Sequence, residues 1–217
     1  LQESQDGEAS DQPIASSPVV EAIRKYPKRI MLAAGAFLSV QVTFYILIAF
    51  IIAYGVTAPE LALSRDTMLT AVLIAAAIMV PSQFYFSGLS DRVGRKQIYR
   101  WGAILTGLWG FALFPLINTG EPLMIVIAVT LGLTFLGMQY GPQAAYFTEL
   151  FTTEVRYSGA SLGYQIGAIL GGALAPTIAV LLWNELGIFY VSVYILVAAI
   201  LTLLSLSALE ETKGRTL

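Results

Sequence analysis

Gly88-Leu89-Ser90-Asp91-Arg92-Val93-Gly94-Arg95-Lys96 sets one acid, three cations and two glycines between two long apolar runs. An ionised side chain costs about 2.5–3.5 kcal/mol or more at the centre of a bilayer. The stretch therefore reads as a tight charged turn at a membrane surface, pinning two helix ends together. Working outward from it, two membrane-length apolar runs precede it and four follow.

Composition supports that reading. The chain is 57% hydrophobic and 12% charged, against about 25% charged residues in soluble domains. A helix needs about 20 apolar residues to cross a bilayer, and six runs meet that length, at about 30–56, 67–87, 97–117, 122–146, 158–183 and 188–208. The fold class expected is an all-α membrane protein of six transmembrane helices. Cys and His are absent, which removes disulfides, thiolate chemistry, imidazole proton relays and the usual zinc or haem ligands. No nucleophile–base pair or metal cluster points to an enzyme, and neither a cofactor nor a nucleic-acid partner is expected. Any proton coupling would have to use carboxylates.

Residues 1–20 are acidic and rich in Ser, Gln and Pro, and are expected to form a disordered linker. Residues 21–29 form a basic juxtamembrane segment, a short surface helix expected to end at Pro27. The charged tail occupies 209–217. The chain begins at Leu1 within a polar stretch lacking a basic leader and cleavage site, which suggests a truncated start rather than a signal peptide.

The cations test the topology. Of the twelve Lys and Arg, four precede the first span, four lie in or just after the charged turn, Arg156 follows the fourth span, and Lys213 and Arg215 lie in the tail; Arg65 alone falls on the other side. The positive-inside rule then places the linker, the charged turn, the 148–157 connection and the tail in the cytoplasm. Both ends of the chain are expected there, in an inner or plasma membrane.

The middles of the spans contain no Asp, Glu, Lys or Arg, so candidate chemistry rests on amides and hydroxyls. In the first span Gln41 and Tyr45 are four residues apart and share a helix face, with Ser39 and Thr43 nearby. Buried amides need partners or a wet cavity. A solute-lining face and an interhelical hydrogen-bonding face both account for them. In the fourth span Gln139 and Gln143 repeat that spacing around Tyr140, with Gly141-Pro142 between them. Proline deletes a backbone hydrogen bond and loosens the turn before it, and interrupted helices are where transporters hold solute. Gln165, beside Tyr164 in the fifth span, is a further candidate.

Gly159, Gly163, Gly167 and Gly171 recur every fourth residue along the fifth span, a groove for close helix packing. At the charged end, Asp91, Arg92, Arg95 and Lys96, with Glu149, Arg156 and Glu211, could form a network that biases a conformational equilibrium or could serve only as topology signals.

Gly88–Lys96 resembles the G-x-L-x-D-R-x-G-R-[RK] signature of the major facilitator superfamily, which recurs between the second and third helices of each six-helix half. Gly88, Asp91, Arg92, Gly94, Arg95 and Lys96 stand in that stretch. The Glu149 and Arg156 pair and the tail Glu211-Thr212-Lys213-Gly214-Arg215 resemble the cytoplasmic charge network of the superfamily's sugar porters. Tyr140-Gly141-Pro142-Gln143-Ala144-Ala145-Tyr146-Phe147-Thr148-Glu149, followed by Val155-Arg156-Tyr157-Ser158-Gly159, is similar to the metabolite:proton symporters, which carry small carboxylates, shikimate, proline or betaine. The resemblance covers nearly all of residues 25–217. It implies the carboxy-terminal half of a transporter built from two six-helix halves, each a 3+3 inverted repeat, whose amino-terminal half is the missing partner. It also implies that the first and fourth spans line a solute cavity, placing Gln41, Tyr45, Gln139 and Gln143 there, and that Asp91 faces the missing half.

The leading expectation is thus half of a proton-coupled symporter for a small carboxylate or zwitterion, working by alternating access. A facilitative uniporter of the same fold, and a standalone six-helix half-transporter or non-transporting membrane module, are the alternatives.

Overall fold

The computed structural model describes residues 18–153 and 155–213. Among the described residues every regular element is a helix, without a strand. A short helix, α1 (Pro18–Lys25), precedes six helices long and apolar enough to cross a membrane. These spans are Pro27–Thr57, Arg65–Val93, Arg95–Ile117, Pro122–Glu149, Arg156–Leu186 and Ile188–Ala208. In hydrocarbon every backbone polar group must be paired within its own segment, and a helix does that locally.

The helix ends follow side-chain chemistry. Pro27 and Pro122 open the first and fourth spans, where a missing N–H costs nothing. The Ser64 side chain caps the second span by accepting from the Thr67 N–H at 3.0 Å. Pro27 therefore starts a helix, where the sequence suggested that it ends one. Of the expected linker, residues 18–20 belong to α1, and 1–17 lie outside the described residues, as do 214–217 of the tail.

The charged turn proves shorter than the sequence suggested. Gly88 through Val93 continue the second span as helix, Arg95 begins the third, and Gly94 is the sole residue between them, at φ 133°. Only glycine adopts that backbone without strain. Pro142 likewise does not break the fourth span, which is helical through Glu149. The irregular turns lie elsewhere, as π-helical segments at Ile46–Phe50 in the first span and Ala168–Ala173 in the fifth. Pro176, four residues after Gly172, withholds an N–H from the second of these segments, whereas no proline marks the first.

The spans pack as second on fourth, third on fourth and sixth, and first on fifth and sixth. Lipid tails are as apolar as leucine, so close packing and interhelical hydrogen bonds hold such a bundle together. Away from the charged end, Tyr54 lies edge-on to Trp183, ring centroids 5.0 Å apart, and donates to Asn118 Oδ1 at 2.7 Å. At the charged end a second cluster gathers Phe37, Tyr99, Tyr146, Phe147 and Phe151. The glycine stripe fits the first span closely. A Cβ at Gly163 would lie 2.7 Å from Ala33 Cβ, and one at Gly167 would lie 2.6 Å from Phe37 Cβ. At Gly171 it would lie 3.0 Å from Gln41 Cβ, whereas Gly159 faces the Phe151 ring of the preceding connection.

Candidate functional site

Two constellations emerge from this scaffold, one at the charged end and one between the first, fourth and fifth spans.

At the charged end the tail folds back onto the second–third junction. The Glu211 carboxylate accepts from the backbone N–H groups of Arg95 at 3.1 Å and Lys96 at 3.2 Å, and from Thr212 at 3.0 Å and Lys213 at 3.2 Å. An acid at a helix N-terminus satisfies donors that the helix leaves free and opposes the positive end of its dipole. Gly94 makes the approach possible, since a Cβ there would sit 2.9 Å from Glu211 Oε2. Lys213 Nζ donates to the Arg92 carbonyl and Lys96 Nζ to the Leu209 carbonyl, closing the clasp from both sides.

Arg95 is the hub of the ionic contacts. Its Nε lies 2.9 Å from Glu149 Oε2, and a terminal nitrogen lies 3.1 Å from Asp91 Oδ1. The Arg95 and Glu149 side chains are 18% and 9% exposed, so this pair is shielded, whereas Asp91 is 58% exposed. The sequence grouped Glu149 and Arg156 in one charge network, and within it Glu149 pairs with Arg95. Arg156 instead reaches Thr153 Oγ1 at 3.4 Å, and its Nε is buried without a hydrogen-bond partner among the described residues. Gly88 stands open, with nothing within 4 Å of a Cβ built there. Arg92 enters the clasp through its carbonyl.

The second constellation is a cavity of about 300 Å³ lined by Phe37, Tyr140, Gln143, Ser161, Tyr164 and Gln165, among others. Three of the sequence candidates, Tyr140, Gln143 and Gln165, meet here. Phe37 forms its floor, stacked on Phe147 at 4.2 Å and edge-on to Tyr164 at 5.2 Å. Gln143 is 5% exposed, and its amide oxygen has no hydrogen-bond partner among the described residues. Asp, Glu, Lys and Arg are absent from the lining. The walls thus offer aromatic faces, hydroxyls and amides.

Gln41 and Tyr45 lie outside this lining, further along the first span. They fit against the fifth span's π-helical segment, where a Cβ at Gly172 would come 2.7 Å from the Tyr45 ring and 3.4 Å from Gln41 Oε1. Gln139 takes a different direction from Gln143. It is fully buried, and its Nε2 donates to Thr106 Oγ1 of the third span at 2.9 Å. Four residues turn a helix about 40° past a full circle, enough to aim one amide at the cavity and the other at the neighbouring span. Sequence spacing also missed Glu211 as a helix cap and Tyr99, Thr106 and Thr202 as polar partners. No sequence pattern flags contacts between residues so far apart.

Residues 2–161 match the family model described as Major Facilitator Superfamily. The chain is 34% identical over 93% of its length to the inner membrane metabolite transport protein YhjE of Escherichia coli K12, covering 50% of that protein. It is 29% identical over 79% of its length to the shikimate transporter of the same organism, covering 41%. To that organism's proline/betaine transporter it is 27% identical over 91% of its length, covering 39%. The chain spans about half the length of curated relatives it matches.

Proposed function

The chain belongs to the Major Facilitator Superfamily, and we propose that it forms the carboxy-terminal half of a secondary transporter for a small carboxylate or zwitterion. In this reading the solute crosses the inner membrane by alternating access, with proton symport as the driving force. The observation that carries the reading is Gln143, a buried amide whose oxygen lacks a partner among the described residues and which lines an uncharged, aromatic-walled cavity. A buried acceptor left unpaired costs about 1–3 kcal/mol, and a solute bearing an N–H or O–H group would relieve that cost. Aromatic faces add attraction for an alkylammonium group, which favours the zwitterion end of the range. The relatives named for shikimate and for proline and betaine are consistent with polar solutes of this size.

With no Asp, Glu, Lys or Arg lining the cavity among the described residues, a coupling carboxylate would belong to the other six-helix half. The same observation supports the second reading, a facilitative uniporter. The ring of Asp91, Arg95, Glu149 and Glu211 would then act as a gate, on the cytoplasmic side by the positive-inside rule. Its work would be to hold helix ends in one of two arrangements.

Uptake of labelled glycine betaine, proline and shikimate into proteoliposomes holding the full-length protein tests this. Uptake stimulated by an inward proton gradient and abolished by a protonophore supports symport. Uptake indifferent to both supports uniport, and no uptake of any solute under either condition counts against the transporter reading for this class.

A further inference from the structure

The backbone of the first span is gripped from outside at one turn. Thr202, fully buried in the sixth span, places its hydroxyl 2.9 Å from the Ser39 N–H and 3.0 Å from the Gly35 carbonyl. An uninterrupted α-helix pairs those two groups directly, residue i with i−4. The hydroxyl therefore accepts from Ser39 and donates toward the Gly35 carbonyl, with the Ala36 carbonyl also in reach at 3.3 Å, while the first span stays α-helical through this turn. One residue on, the buried Tyr99 hydroxyl of the third span donates to the Ala36 carbonyl at 2.8 Å. Gly35 lets the sixth span come this near, since a Cβ there would lie 2.2 Å from Ser205 Oγ.

The gripped turn lies one turn before Gln41 and Tyr45, and the π-helical segment Ile46–Phe50 follows immediately after them. Residues 39–45 thus lie between the gripped turn, which stays α-helical, and the π-helical segment. Their side chains meet the fifth span's π-helical segment, Ala168–Ala173.

We infer that Thr202 is a positioning residue: by bonding to the first span at Gly35 and Ser39 it sets the direction in which Gln41 and Tyr45 face the solute path. This inference rests on the reading of the first span as part of that path. Neither Thr202 nor Tyr99 touches the cavity, so the effect runs through the backbone of the first span.

The chain contains no cysteine, which permits a clean reporter. In the full-length protein, freed of cysteine elsewhere, Tyr45→Cys is reacted with methanethiosulfonate ethylammonium in proteoliposomes. Thr202→Val keeps the shape and removes the hydroxyl; it is expected to change the reaction rate about fivefold or more, the lower end of couplings between sites. Thr202→Ser keeps the hydroxyl and is expected to restore the rate. A role confined to packing would lower the unfolding temperature of Thr202→Val while leaving the reporter rate unchanged, and that result overturns the inference. So does an equal change in Thr202→Ser. If Tyr45→Cys is unreactive even beside an intact Thr202, the solute-path reading fails first and the positioning role falls with it. Should Thr202→Val not accumulate, Thr202→Ala replaces it, and a shifted rate in Thr202→Ser alone still refutes the proposal.

Discussion

The Glu211 carboxylate lies 3.1 Å from the backbone N–H of Arg95, so the end of the chain caps the first turn of a helix that begins 116 residues earlier. That contact makes the tail part of the charged junction and gives one glycine, Gly94, a steric reason for its place.

Glu211→Ala removes a carboxylate that serves four backbone donors. Helix caps contribute about 0.5–2 kcal/mol, and this one is solvent-accessible, so a loss of about 1 kcal/mol is expected. Denaturant unfolding in detergent measures it. Limited trypsin digestion at Lys213 should also accelerate, because the tail would lose its main attachment.

Gly94→Ala should cost more than Glu211→Ala. The new methyl group must adopt a φ of 133° and would sit 2.9 Å from the Glu211 carboxylate. Left-handed or strained backbone costs about 1–3 kcal/mol for a residue other than glycine. Unfolding that matches wild type within error would contradict the geometry.

The two acids facing Arg95 should differ in weight. Asp91 is largely solvated, and exposed ion pairs contribute about 0–1 kcal/mol. Glu149 is 9% exposed, and removing one partner of a buried pair costs about 3–5 kcal/mol. Glu149→Gln is therefore expected to destabilise the protein well beyond Asp91→Asn, which a double-mutant cycle through Arg95→Gln can apportion. In transport, Asp91→Asn should slow turnover with solute affinity little changed. A large affinity loss at normal turnover would contradict the gate assignment.

Gln143 and Gln139 should separate binding from stability. Gln143→Ala removes an amide from the cavity wall, and a lost hydrogen bond of about 0.5–1.5 kcal/mol corresponds to a roughly twofold to tenfold higher KM. Gln139→Ala breaks the bond to Thr106 and should lower the unfolding temperature without moving KM. Similar KM values for wild type and Gln143→Ala would remove the main support for the cavity as a solute site.

Gly167→Val should separate the first and fifth spans, because a Cβ at that position already meets Phe37 Cβ at 2.6 Å. Overpacking of this kind costs about 1–3 kcal/mol. Gly120→Val, at a turn with open space around it, is a poor control because of its positive φ. Gly88→Ala, helical and unobstructed, is the appropriate one and should be neutral or slightly stabilising.

The spans were legible in the sequence because the bilayer imposes a length and a polarity that no packing detail alters. Each of the six runs lies within a helix; some ends coincide, and the largest difference is in the second, which runs to Val93 rather than 87. The glycine spacing was legible in part: Gly163, Gly167 and Gly171 meet the first span, whereas Gly159, one repeat earlier, faces Phe151. What the sequence could not settle was direction and partnership. Gln139 and Gln143 look equivalent by spacing, yet a rotation of about 40° and the position of the third span send them to different neighbours. Arg95 rather than Arg156 takes Glu149, because the helix ends, not the intervals between charges, decide which side chains meet. Around the opening stretch, Gly88–Lys96, the sequence determined that a charged break must stand at a membrane surface. Only the tertiary structure reduced that break to Gly94 alone and brought Glu211 to it, because a cap is chosen by proximity in space, and proximity follows from how the helices pack.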